Sequence, residues 1–416
     1  MRESDYRPKI IGTMNDQIRE FEENGVLPFD FPTESRKIIK VIGVGGGGGN
    51  AVGNMFREGI HDVVFVVANT DQQALANSQI PLKLQLGRET TGGLGAGNDP
   101  DVARQAAEES IEDIRAQFRD DTQMVFVTAG MGGGTGTGAA PVIARVAKEM
   151  GMLTVAIVTI PFKFEMRPKI KQALKGVYEL SQNVDALLVI SNEKLLEIFP
   201  KMSLEEGFRK ADETLTTATK SIAELITCHG IINLDFRDVR KILSNGGIAI
   251  MSEGRASCEN RINQAFEAAF HSPLLYNNDI YKASKILFNI YHGSGEGKEL
   301  MLDEINDVRR FMEKFEDRNI EVIWGVAVDD TLDDEIKIAV LATGFGIEGI
   351  PMIDDDNLDT TMRDIYGPGD VNRKLLSLFT LSDDDLDNEM LLDAVESSPA
   401  ISRTRKDISM FETLRN

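Results

Sequence analysis

The chain has 416 residues and a formal net charge of −22, with 42% hydrophobic and 27% charged residues. That length suits two or three domains around a sizeable core. The charge argues against polyanionic partners, nucleic acid and anionic membrane surfaces alike.

Residues 1–36 hold the charged stretch "NDQIREFEENG" and the proline-broken "LPFDFPTES". They read as a mobile N-terminal extension with one short helix. From Lys37, short β-branched apolar runs alternate with helical patterns: "KIIKVIGVG", "VVFVVANTD", "QMVFVTAG", "LTVAIVTIP" and "DALLVISN". Uninterrupted apolar runs are strands buried on both faces, and their alternation with helices predicts a doubly wound α/β domain, mainly parallel, over 37–202. A capping box, Ser203 with Glu206, then opens a stripe of Leu204, Phe208, Ala211, Leu215, Ala218, Ile222 and Leu225. This predicts a long central helix over 203–229, about 26 residues and near 39 Å.

Beyond it, "GIAIMSEG", "ILFNIYHG", "EVIWGVAVD" and "IKIAVLATGFG", with helical stretches near 259–271 and 297–315, predict a smaller α+β domain over 230–348. Residues 349–416 carry 15 Asp+Glu against 7 Lys+Arg. That composition predicts a disordered acidic linker and tail. Cys228 and Cys258 form neither a disulfide framework nor metal-ligand spacing, which points to a reducing cytoplasm and no protein-held metal cluster. No apolar run approaches the roughly 18 residues of a membrane span, so no direct membrane insertion is expected.

Two glycine-rich turns carry the chemistry. "IGVGGGGGNAVGNM" follows a strand, and Gly43, Gly45 and Gly48 satisfy G-x-G-x-x-G, whose ordinary reading is a dinucleotide-dependent oxidoreductase with Asp71 as the acidic residue. "GMGGGTGTG", 130–138, is a second strand-to-helix turn that such a fold does not need. Two such turns place two sets of N–H groups and two positive helix ends at one sheet edge, which suits a polyphosphate. No G-x-x-x-x-G-K-[ST] occurs, so a P-loop is excluded.

"GGGTGTG" is the signature of the tubulin/FtsZ superfamily. "KVIGVGGGGGNAV", "NTDQQAL", "GLGAGNDP", "GMGGGTGTGAAPVIA", "NVDALLVISNEKLL", "NLDFRDVR" and "SPLL" follow in family order from Lys37 to about Gly346. The chain resembles the bacterial cell-division branch of that family. The resemblance implies a GTPase that polymerises head to tail and forms the division ring in the cytoplasm, with GTP/GDP and Mg2+ carried mainly by the nucleotide. It implies phosphate contacts from Gly46, Gly47 and Asn50, and from Gly133, Gly134, Thr135, Gly136 and Thr137. Ala96, Gly97 and Asn98 match the loop that senses the γ-phosphate, and Asn69 to Asp71 the loop beside phosphates and magnesium. Glu165 matches a ribose contact, Asn192 and Asp212 the guanine readers, and Phe208 a stacking ring. A carboxylate suits guanine because it accepts from both N1–H and the 2-amino group, a donor pair that adenine lacks.

Each assignment has a structural alternative. The loop glycines could serve tight turns alone, Phe208 lies on an apolar stripe, and Asp212 could be a solvated helix carboxylate. Asn192 could close a turn on its own backbone, and Asp235 could merely cap the helix "FRDVRKIL". The family usually has glycine after the Phe164-Glu165 pair, then a basic run ending in arginine. Here "MRPKI" stands instead: Met166 replaces the glycine, Pro168 fixes φ, and Lys169 takes the place of the arginine that meets the phosphates.

Asn233, Asp235 and Asp238 follow the long helix, so its length separates them from their own subunit's phosphates. They are the expected catalytic residues, acting on the next subunit's nucleotide. Their presence argues against a non-hydrolysing scaffold of the same fold. In "RKDISMFETLRN", Ile408, Met410, Phe411 and Leu414 have helical spacing, which suggests a docking peptide for membrane-tethering and regulatory division proteins.

Overall fold

The computed structural model describes residues 37–60, 62–199, 201–227, 230–232, 234–270, 280–295, 297–316, 320–345, 388–397, 410–411 and 413–414. The expected N-terminal extension, 1–36, and Asn233 lie outside the described residues.

Six strands, β1 (Ile39–Val44), β2 (Val63–Asn69), β3 (Leu82–Gln85), β4 (Met124–Gly130), β5 (Leu153–Ile160) and β6 (Ala186–Ser191), lie side by side as β3-β2-β1-β4-β5-β6. Every neighbouring pair is parallel. β1 and β5 are buried along their whole length, as continuous apolar runs require when helices cover both faces. β3 escapes the apolar-run criterion because Leu82 and Lys83 are exposed at the sheet edge.

Side-chain alternation divides the core. Ile42 and Val44 of β1 face a cluster with α3 (Pro100–Glu109), α4 (Gly134–Glu149) and α5 (Arg167–Ser181). Ile39 and Val41 face the other cluster, with α1 (Gly45–Arg57) and the central helix α7 (Leu204–Thr227). Two short helices, α2 (Gln72–Asn77) and α6 (Asn192–Ile198), follow β2 and β6. The capping box forms as the sequence predicts: Glu206 N–H donates to Ser203 Oγ at 3.3 Å, and Ser203 N–H to Glu206 Oε2 at 2.8 Å.

The second half adds β7 (Gly230–Ile232), α8 (Phe236–Leu243), β8 (Gly247–Ala256), α9 (Arg261–Phe270), β9 (Lys285–His292), α10 (Ile305–Glu316), β10 (Glu321–Val328) and β11 (Ile336–Thr343). Its strands run β8-β11-β9-β10-β7, with β11 antiparallel to both neighbours. A two-residue parallel contact of β6 with β8 joins the halves. Leu215, Ile222 and Leu225 of α7 share one cluster with Ile190 of β6 and with Val239, Ile242, Leu287 and Leu341 of the second half. Each such side chain contributes about 1.5–3 kcal/mol by burial, so α7 holds both halves at once.

Two expectations change. The helix expected over 297–315 begins only at Ile305, because Arg261 draws the Glu299 carbonyl and the Glu304 carboxylate to itself. Within the stretch expected to be disordered, Glu389–Ser397 forms a helix, α11, with Leu391 buried. Asn388 Nδ2 donates to the Leu414 carbonyl at 2.8 Å, and Phe411 is buried. Local apolar spacing in "MLLDAV" thus overrides the acidic average; the remainder of that tail lies outside the described residues.

Candidate functional site

β1 and β4 are neighbours, yet the helices that follow them, α1 and α4, cover opposite faces of the sheet. Such a switch point opens a crevice at the carboxyl ends of the strands, where ligands bind in open α/β sheets. Both glycine turns lie there.

The glycines divide into two kinds. A Cβ on Gly43 would stand 2.3 Å from the Gly48 carbonyl oxygen, one on Gly48 2.3 Å from that of Thr128, and one on Gly136 2.6 Å from that of Gly130. One on Gly134 would meet Asp99 N at 2.9 Å. These four are required by the protein's own packing. Gly46, Gly97 and Gly133 would meet nothing within 4 Å among the described residues. At those three, no described neighbour demands a missing side chain. Gly47 is intermediate, 3.3 Å from the Gly130 backbone. Asn50 is exposed one turn into α1.

The other loops converge on this edge. Thr70 and Thr135 hydroxyls lie 2.8 Å apart, tying the Asn69–Asp71 loop to the second glycine turn. Thr137 Oγ1 accepts from Gly132 N–H at 2.9 Å, so that hydroxyl braces the turn itself. Asp71 caps α2, with Oδ1 accepting from Gln73 and Ala74 N–H, and Asn69 Oδ1 accepts from Asp71 N–H at 3.2 Å. Gly97 and Asn98 both have positive φ, 59° and 63°. Ala96 is buried, and a Cβ on Gly134 would stand 3.1 Å from its methyl group.

Toward β6 the surroundings suit a base. Phe208 is 40% exposed and meets Phe162 edge-on at 5.3 Å, in a group that includes Phe164. It is a partly exposed ring beside buried Phe162. Asn192 opens α6 with its Oδ1 buried and without a partner among the described residues. α6 packs on the first half of α7, where Lys210 Nζ lies 5.3 Å from the Phe199 ring. Asp212, on that same part of α7, is largely buried, and burial alone pushes its carboxyl up to about 6. No cation among the described residues offsets this. An orphaned buried carbonyl and an uncompensated carboxylate are unfavourable unless a ligand satisfies them.

Glu165 and Lys169 find each other. Lys169 Nζ lies 2.6 Å from Glu165 Oε2, while Glu165 Oε1 accepts from Phe162 N–H. The lysine stem also packs on Gly132, where an added Cβ would stand 3.1 Å from its Cγ. Met166, in the place of the family's glycine, has φ 76° and ψ 153°, a region that glycine alone enters freely.

The acidic residues lie past the other end of α7. Asp235 is the N-cap of α8: its Oδ1 accepts from Arg237 and Asp238 N–H, and Asp238 Oδ2 accepts from Asp235 N–H. The capping alternative raised for Asp235 therefore holds, with Asp238 completing the box, yet each carboxylate keeps one oxygen without a partner among the described residues. Within the Asn69–Asp71 loop that the sequence singled out, buried Thr70 adds a hydroxyl that bridges two loops; sequence reasoning missed Gln172, whose amide reaches Asn98, Gly132 and Gly133. A lone polar residue on an amphipathic helix gives no pattern to detect.

Residues 38–200 match the model of the Tubulin/FtsZ family GTPase domain, and residues 247–346 that of the FtsZ family C-terminal domain. The chain is 48% identical over 422 residues to the cell division protein FtsZ of Porphyromonas gingivalis, covering 94% of this chain and 91% of that protein. It is 48% identical over 309 residues to that of Coxiella burnetii, covering 74% and 79%. Among solved structures, an empty FtsZ dimer from M. jannaschii matches with a TM-score of 0.68 at 38% identity, covering 80% of this chain and 93% of that one. A GTPγS-bound CetZ2 protofilament from Haloferax volcanii shares the fold, with a TM-score of 0.64 at 21% identity, covering 79% and 98%. The chain belongs to the tubulin/FtsZ family.

Proposed function

We propose that this member of the tubulin/FtsZ family is a cell-division GTPase that binds GTP across the β1/β4 crevice, stacks head to tail into filaments, and hydrolyses the nucleotide where two subunits meet. The observation that carries this reading is the placement of functional groups along α7. Phe208 and Asp212 stand near its start, while Asp235 and Asp238 follow its end. Its 24 residues span about 36 Å, too far for those carboxylates to reach their own subunit's phosphates. A head-to-tail contact is heterologous and propagates into an open filament.

In this reading Asp212 and Asn192 hold guanine, Phe208 faces the base, and Glu165 holds the ribose. The N-termini of α1 and α4, with Gly46, Gly47, Asn50, Gly133 and Thr135, hold the phosphates. Lys169 leaves Glu165 to meet the phosphates or stays to orient it. The free oxygens of the next subunit's Asp235 and Asp238, with Asn233, orient the attacking water. Asp71 Oδ2, unpartnered among the described residues beside this loop, suits Mg2+ carried by the nucleotide, which when bound neutralises charge developing on the phosphates. The rest of the rate then comes from positioning and fixed N–H dipoles. Membrane-tethering and regulatory division proteins take the C-terminal peptide, which brings the filament to the division site; Phe411, buried here, must be released for that.

Light scattering with phosphate release, comparing GTP and ATP across protein concentration, tests the reading. Turnover should be negligible in dilute monomer and rise steeply above a threshold, with GTP alone. Asp238→Ala should bind GTP and assemble with little turnover, and mixing it with Asp212→Ala should restore some activity at the hybrid interface. Turnover first order in dilute monomer, or no recovery in mixtures that co-assemble, overturns catalysis across the interface.

A further inference from the structure

Gln172 lies on α5, three residues past Lys169. Its Nε2 is 3.3 Å from the carbonyl oxygen of Asn98, 3.2 Å from that of Gly132 and 3.1 Å from that of Gly133. The amide's two hydrogens are thus shared among three carbonyl acceptors on two loops, and those acceptors fix which way it faces. Asn98 and Gly132 present their carbonyls there from left-handed conformations, with φ of 63° and 101°.

The consequence follows from the peptide plane. In a trans peptide the C=O and N–H point in opposite directions. Holding the Gly132 and Gly133 carbonyls on the α5 side turns the N–H groups of Gly133 and Gly134 the other way. Neither N–H has a hydrogen-bond partner among the described residues. Gly134 is also the first residue of the 16-residue α4, where the helix leaves its N–H groups unpaired and its positive end favours an anion. The shared contact to the Asn98 carbonyl links the loop of Ala96, Gly97 and Asn98 to this same turn.

We propose that Gln172 is a positioning residue: it aims the Gly133 and Gly134 N–H groups at the nucleotide's phosphates and holds the Asn98 loop where the terminal phosphate meets both loops at once. This rests on the GTP site proposed above. Without the amide, the three carbonyls turn to water, the loops move independently, and the ligand that bridges them must order both. GTP bridges them and GDP does not, so the two nucleotides should respond differently.

The test uses the full chain below its assembly threshold, with GTP and GDP affinities measured by calorimetry beside thermal unfolding of the nucleotide-free protein. Gln172→Ala removes the donor. Gln172→Glu keeps the length but cannot donate at neutral pH, and Gln172→Lys restores a donor. The Ala and Glu variants should lose about tenfold in GTP affinity and no more than about threefold in GDP affinity, the scale of one hydrogen bond. Their nucleotide-free melting temperatures should stay within about 2 °C of the parent, and the Lys variant should recover most of the GTP affinity. Unchanged GTP affinity in the Ala and Glu variants overturns the inference. So does an equal loss for both nucleotides with a fallen melting temperature, which marks a merely structural contact. A parent chain that binds neither nucleotide refutes the GTP site itself, a distinct result.

Discussion

Lowering the pH should weaken guanine-nucleotide binding through one group. Burial pushes the Asp212 carboxyl up to about 6, and no cation among the described residues opposes the shift. Only the ionised form accepts from both N1–H and the 2-amino group. At about pH 8 the carboxylate is already ionised, whereas at about pH 5 it is mostly protonated, so apparent affinity should fall about tenfold over that range from this group alone. Asp212→Asn keeps the size but replaces an acceptor with a donor, and should lose about 1.5–3 kcal/mol of binding at pH 8, the worth of a hydrogen bond to a charged group. The assay is calorimetry with GDP below the assembly threshold, in two buffers of different ionisation enthalpy, so that proton exchange is read directly. The nucleotide's terminal phosphate also titrates near about 6; the slope that survives in the Asn variant belongs to it.

Stability should move the opposite way. A raised carboxyl pKa gives the folded state a contribution that is fully present below the unfolded value of 3.8 and lost as pH rises through about 6. Without nucleotide, the Asn variant should therefore exceed the parent in stability at pH 8 by on the order of 2 kcal/mol, and match it near pH 4. Equal pH slopes of binding in both proteins, or ADP binding as tightly as GDP, would refute the assignment.

Other substitutions test the remaining geometry. Gly43→Ala and Gly48→Ala each drive a Cβ to 2.3 Å from a carbonyl and should destabilise by about 2–3 kcal/mol in denaturant titrations; Gly46→Ala, in open space, should keep the melting point and weaken nucleotide binding. Met166→Gly should raise stability by about 0.5–2 kcal/mol, because relief of a φ of 76° outweighs the entropy of glycine. Asp235→Ala should lose about 1 kcal/mol through its cap as well as lowering turnover, whereas Asp238→Ala should chiefly lower turnover.

The apolar runs from Lys37 to Asn192 predicted the parallel sheet because a strand buried on both faces can contain little else. The capping box at Ser203 was equally legible, being local in sequence. β3 was not, since an exposed edge strand has no apolar run to report, and α11 was hidden by the acidity of its neighbours. Of the proposed site residues, those in glycine turns stood out because such composition suits no helix or strand interior.

By itself the sequence determined that two glycine turns follow two strands, that a long helix separates them from an acidic loop, and to which family these motifs belong. Only the tertiary structure decided that β1 and β4 are neighbours with helices on opposite faces, which places both turns at one crevice. It also sorted the glycines: Gly43, Gly48, Gly134 and Gly136 serve the chain's own packing, whereas Gly46, Gly97 and Gly133 face open space. The same holds for Asn192, Asp212 and Gln172. Whether a polar group is orphaned, desolvated or shared among three carbonyls depends on what other segments bring beside it, and strand order and packing set that over separations where no local pattern survives.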